Sequence, residues 1–241
     1  MSSLPVEPTA GDERPAGEPG EVRLPETLGP PRGRFARRLP SGRHGLPRAF
    51  VVRNQRERVL DAAAQAVAEK GYTATRVADI TEGAGVSRKT FYELFSDKED
   101  CFLAAFDTVA NLLFKQVAQA YEDDADVRPW RERIRAGLET FLNLLAAEPA
   151  FARMCLVEAR YAGPHALARL EAGKRTFMSY LRAGREQPEA AEDIPEKAEE
   201  LLIGGMYDMI ERRVLAGEAA TLPELAASFM AFVDRIYFGG P

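Results

Sequence analysis

Apolar side chains recur every three or four positions from Asn54 almost to the end of the chain, and that spacing predicts helices. In "NQRERVLDAAAQAVAEKGY" the apolar positions are Val59, Leu60, Ala63, Ala66 and Val67. Gly71 follows, suited to the left-handed position that closes a helix. A short second helix is predicted from about Arg76 to Glu82, with Thr75 as its N-cap. Ser87 to Phe95 form a third. Ser96-x-x-Glu99 reads as a capping box that opens a long fourth helix over about Asp97 to Tyr121. Further helices are expected at about 129–147, 149–161, 164–186, 195–216 and 222–238. Pro129, Pro149, Pro164, Pro195 and Pro223 stand at or near their first turns, where a missing N–H costs nothing. No alternating apolar pattern of convincing length occurs, so no sheet is predicted. The expected fold is all-α, about nine helices, with a three-helix N-terminal head and a larger helical body.

The first 53 residues break the pattern. Residues 1–31 are rich in Pro, Gly and Glu and poor in large apolar side chains. Such a segment buries too little surface to offset its ordering entropy, so it reads as a disordered tail. Its charge is acidic, but from Arg32 to Arg53 there are seven arginines and no acid. Gly33, Pro40, Gly42, Gly45 and Pro47 interrupt this second stretch, and no regular helix is expected in it. Two readings stand: a solvated basic linker, or an arm that follows a nucleic-acid backbone, with Arg43, Arg48 and Arg53 as its candidate contacts. The chain therefore divides into a tail (1–31), a basic arm (32–53), a head (54–100) and a body (101–241).

Composition narrows the function. A net charge of −5 argues against a wholly basic nucleic-acid coat protein, so any phosphate contact must come from a local patch. Cys101 and Cys155 lie far apart within apolar helical patterns and fit neither a metal spacing nor a disulfide framework; a reducing cytoplasm is the expected setting. No basic stretch followed by an apolar run opens the chain, and no 18-residue apolar run occurs, so neither a leader nor a membrane partner is expected. His44 and His165 have no metal partner at ligand spacing. Nucleophile-elbow, phosphate-loop and dinucleotide motifs are missing, and no catalytic residue, metal or cofactor is expected.

The head carries the chemistry. Gly83-Ala84-Gly85-Val86 is a turn of the length a helix-turn-helix needs. On a helical wheel Phe91, Leu94 and Phe95 share one arc and face inward with Val77, Ile80 and Val86. Lys89 and Glu93 lie opposite, Thr90 and Tyr92 flank them, and Arg88 sits in the first turn. A helix held from behind with donors at its N-terminal end is what a major groove admits. Arg forks onto guanine, Thr meets a base or a phosphate, and a Tyr hydroxyl fixes a phosphate.

Residues 54–107 resemble the DNA-binding head of the TetR family of bacterial transcriptional repressors. The run is Ala84-Gly85-Val86-Ser87, Thr90-Phe91-Tyr92, Phe95 and Lys98-Glu99-Asp100, preceded by Gly71-Tyr72 and Thr75. The resemblance implies that Arg88, Lys89 and Thr90 meet bases or adjacent phosphates. It also implies that Thr75, Tyr92 and Lys98 meet phosphates, with Arg76 and Ser87 beside them. Lys89 stands where many relatives have Gly, and Thr81 where Ala is usual. The implied partners are a double-stranded, pseudo-palindromic operator, a second copy of the chain, and an unidentified small-molecule effector that releases the DNA.

In the body the resemblance implies a ligand cavity and a dimer seam. Phe106, Leu113, Phe141, Met154, Glu158, Tyr161, Phe177, Tyr180 and Tyr207 are the ligand candidates. Glu158 has three readings: a ligand's polar group, an ion pair with Arg153 or Arg160, or water. Gly204 and Gly205 interrupt an apolar helix and favour close helix approach. With Leu225, Phe229, Phe232, Val233 and Ile236 they suggest a four-helix dimer interface, the alternative being that these stripes fill the monomer core. Two further functions remain open: a helical small-molecule carrier that does not bind DNA, and a constitutive DNA-architectural protein.

Overall fold

A computed structural model describes residues 48–239 except 124 and 126, so the acidic tail, Arg43 and most of the basic stretch lie outside the described residues. Among these residues there are nine α-helices and no strand. They are α1 Arg48–Lys70, α2 Val77–Ala84, α3 Arg88–Leu94, α4 Lys98–Glu122, α5 Trp130–Ala147, α6 Pro149–Leu156, α7 Pro164–Arg182, α8 Ala198–Leu215 and α9 Leu225–Phe238. Short 3-10 turns follow α6 (Glu158–Arg160) and α7 (Ala183–Glu186) and precede α9 (Ala219–Glu224).

Helix α1 begins six residues before Asn54, so Arg48 to Arg53 are helical rather than part of a broken arm. Pro47 is the last breaker of the basic stretch, and Phe50 and Val51 beyond it are half-buried. The caps also differ from expectation. Arg76, not Thr75, caps α2, and the Asp79 carboxylate accepts its amide at 2.8 Å. Asp97, not Ser96, caps α4 by accepting the Asp100 amide at 2.8 Å. Asp100 accepts the Ser96 amide at 2.9 Å, so the helix start is fastened one residue later than predicted and through Asp rather than Glu99.

Two apolar clusters fill the interior. One joins Val59, Leu60, Ile80, Phe91, Phe95 and Phe102 to Phe151, Met154 and Ala166, so α6 and the start of α7 pack beneath α1 and α4. The other gathers Trp130, Phe141, Leu142, Tyr207, Ile210 and Tyr237 from the later helices. Among the described residues α4 is the single helix with the length and hydropathy to cross a membrane. Its apolar residues Cys101, Phe102, Ala105, Phe106 and Val109 are instead buried inside the protein, where it packs against α1 and α5.

Candidate nucleic-acid interface and ligand cavities

The α2–α3 unit is built around Gly85, whose φ of 61° suits a residue without a side chain and lets its amide reach Glu82 and Thr81 carbonyls. Ser87 caps α3, its hydroxyl accepting the Thr90 amide at 3.0 Å and lying 2.9 Å from the Thr90 hydroxyl. Phe91 and Phe95 are buried with Ile80 and Ala84, anchoring α3 from behind. Arg88, Lys89 and Tyr92 are exposed on the outer side, with Ser87 and Arg76 nearby, and Thr90 is half-buried. Lys89 makes only a 3.8 Å contact with Glu93, both well exposed, which leaves its ammonium available. Arg53 is exposed on α1.

Arg58 braces the turn from below. Its guanidinium donates to the Ala84 carbonyl and, at 3.0 Å, to the Gly85 carbonyl. Those carbonyls lie where α2 runs out of intrahelical donors. Sequence reasoning missed this residue because nothing in its own helix announces a partner 26 positions away.

Two expected phosphate contacts are spent inside the protein. Thr75 is buried, and its hydroxyl donates to Ala66 and Gly71 carbonyls while its amide is held by Gly71 and Tyr72. The Lys98 ammonium donates to the Tyr72 and Thr75 carbonyls at 2.8 and 3.0 Å and lies 4.1 Å from the Tyr72 ring centre. Its partial burial pulls its pKa down. Both residues shape the Gly71–Thr75 turn that presents α2.

The body holds two small cavities. The first, about 60 Å³, is bordered by Phe106, Leu113, Phe141 and Tyr207 among the expected residues. Leu144 and Leu170 line it too, with Glu148 and Arg169 as its charged residues. Burial pushes the Tyr207 phenol well above its usual range. The second, about 40 Å³, is bordered by Phe141, Phe177 and Tyr180, whose ring stacks on Tyr121 at 4.4 Å. Each has room for a few waters.

Three expected ligand residues lie elsewhere. Met154 is fully buried in the cluster under α1. Tyr161 is 66 % exposed, because the 3-10 turn after α6 carries it out of the helix register. Glu158 accepts the Tyr72 amide at 2.8 Å and faces Arg153 at 3.6 Å. Its carboxylate also lies where a side chain on Gly71 (φ 79°) would project, 3.4 Å away. Of the readings open for Glu158, pairing with Arg153 is the one found; Arg160 pairs with Glu211 at 2.8 Å.

Residues 59–105 match the family model described as bacterial regulatory proteins, tetR family. The helix-turn-helix head is thus similar to that of the TetR family. The regulator EthR of Mycolicibacterium smegmatis is 34 % identical over 126 residues, 51 % of either chain. The chain spans about half the length of these curated relatives. Among solved structures, FadR of Bacillus halodurans superposes with a TM-score of 0.66 at 19 % identity, over 74 % of this chain and 94 % of that one. FadR of Bacillus subtilis, solved with stearoyl-CoA, gives 0.61 at 22 % identity, over 73 % and 96 %. At those identities the likeness shows a shared all-helical fold.

On the outer face of the body, α8 and α9 leave an apolar groove of about 410 Å³. Phe232 is 65 % exposed there, Phe229 and Ile236 are half-buried, and nothing lies within 4 Å of where side chains on Gly204 and Gly205 would project. Val233 points the other way and is fully buried, and Leu225 is buried at the groove's floor. On α9 the positions 225, 229, 232 and 236 share one helical face, while 233 joins 226, 230 and 237 on the face turned inward. Leu201 and Met209, exposed one turn either side of Gly205, were missed; their i, i+4, i+8 spacing was the available signal.

Proposed function

We propose that the chain is a ligand-responsive transcriptional regulator, a repressor that binds a pseudo-palindromic operator as a homodimer and is released by a small molecule. The observation that carries this reading is the outer face of α3. Arg88, Lys89 and Tyr92 stand exposed on a helix whose opposite side is locked by Phe91 and Phe95 and whose turn is braced by Arg58. Such a helix offers rigidly held donors to the edges of bases and to phosphates, without a basic overall charge. Arg76 and Ser87 flank it. Arg43, Arg48 and Arg53 are candidates for further phosphate contacts by their place in the sequence.

The family match and the helix-turn-helix regulators it resembles support DNA as the partner. The exposed apolar groove of α8 and α9 supports a second copy of the chain as the other partner. Two heads would then meet successive major grooves, and their spacing would be set by the seam. The first cavity supports an apolar or amphipathic effector, and one fold neighbour carries an acyl thioester. Because the cavity is well below the roughly 300 Å³ of a drug-sized site, an effector must expand it. It shifts the population away from the DNA-competent state only by binding the expanded state more tightly. The role is binding rather than catalysis, and its setting is the cytoplasm, where the operator is.

Selection of bound sequences from a random duplex pool tests the reading. The expected product is two inverted half-sites centred about one helical turn apart or a multiple of it. Recovery of no sequence above background would sink it.

A further inference from the structure

The two cavities of the body share one wall. Phe141 borders both, its ring 4.7 Å from that of Phe177 and 6.1 Å from that of Tyr207. Phe177 also meets Phe114 at 5.5 Å. Of these four rings Phe141 alone borders both the chamber of about 60 Å³ and the one of about 40 Å³; Phe114 and Tyr207 border the first and Phe177 the second. Space on both sides of the Phe141 ring removes part of the dispersion contact that would otherwise hold it.

The chambers differ in chemistry. The first has two charged residues in its otherwise apolar lining, Glu148 and Arg169, and the Arg169 guanidinium is paired with Asp107 at 2.7 and 3.0 Å. The second is hydrocarbon apart from the rims of Tyr121 and Tyr180. Its far wall includes Met206 and Phe229, which also border the outer groove of α8 and α9. An apolar chain held in the first chamber would thus end against Phe141. Beyond that ring it would press on the inner side of the seam.

We propose that Phe141 is a partition that sets the length of apolar chain the body accepts. A short chain expands and fills the first chamber; a longer one enters the second only by displacing the Phe141 ring, and there it meets Met206 and Phe229. This rests on the reading of the body as an effector site, and it adds which residue selects among effectors.

The test compares the full chain with Phe141→Ala and the milder Phe141→Leu. Calorimetric titration with straight-chain saturated carboxylates of six to eighteen carbons reads the length limit. Each methylene reaching apolar surface should tighten binding about four-fold, and in the wild type that gain should end at a shorter chain than in either variant. Crystals of wild type and variants under xenon, which occupies dry apolar cavities, read the chambers without any effector. Two separate xenon sites in the wild type should become one continuous site in Phe141→Ala. The same length limit in all three proteins, or separate xenon sites retained in the variant, would overturn the partition. Merged xenon sites with no carboxylate bound by any of the three would instead overturn the effector reading beneath it.

Discussion

Glu158 accepts the Tyr72 amide at 2.8 Å across 86 positions of sequence. Lys98 takes the carbonyl of the same residue, and the Tyr72 ring packs edge-on to Phe102 at 5.1 Å. The turn that leads into α2 is thereby fastened to the end of α6. That helix also borders the first cavity through Phe151, Ala152, Cys155 and Leu156. A displacement of α6 by an effector would reach the turn through one buried carboxylate.

Glu158→Leu removes the acceptor and leaves the Tyr72 amide and the Arg153 guanidinium facing an apolar side chain. The expected loss is about 1–3 kcal/mol of stability, read by urea unfolding, with operator binding that responds less to any effector. Glu158→Gln keeps an acceptor for the amide and should lose less. Equal stability of wild type and Glu158→Leu would contradict this account of the joint.

The seam makes a contrasting pair of variants. Phe232→Asp and Leu201→Asp place charge on exposed groove positions and should leave the monomer folded but undimerised in sedimentation. Val233→Ala lies in the monomer core and should cost roughly 2 kcal/mol of stability while the dimer persists. A dimer that survives both aspartates places the seam elsewhere.

Acid should weaken a joint near the end of α9. Glu199 is buried; burial raises its pKa, but hydrogen bonds from Arg185 at 2.7 Å and from the Tyr237 hydroxyl at 2.8 Å outweigh it, and the net shift is downward. A depressed carboxyl contributes stability that is present above its unfolded pKa, near 4.3, and is lost as pH falls through the folded value. Glu199→Gln should therefore be less stable than wild type at pH 7 and show a shallower decline below about pH 4.5. Urea melts between pH 3 and 7 measure this, and parallel pH profiles would contradict it.

The helices were legible in the sequence because each buries one stripe at a spacing of three or four, and the prolines marked most of their starts. The inward face of α3 was legible for the same reason: Phe91 and Phe95 lie one helical turn apart. What could not be read was how polar groups are paired across the fold. Thr75 and Lys98 match the family's run yet donate to carbonyls of their own turn, and Arg58 and Glu158 find partners 26 and 86 positions away. Hydropathy spacing carries no information about such pairings. Val233 failed for a different reason: both faces of α9 are apolar, so its stripe alone could not tell seam from core.

The central claim is that α3 reads DNA, and the most direct measurement is operator affinity and base preference for Arg88→Ala beside Tyr92→Phe at fixed salt. Arg88→Ala should bind about 5- to 150-fold more weakly, the equivalent of about 1–3 kcal/mol, and relax preference at one base position of each half-site. Tyr92→Phe should weaken all sequences alike, as the loss of a phosphate contact does. Unchanged affinity and unchanged base preference in Arg88→Ala, with the operator still bound, would contradict the claim.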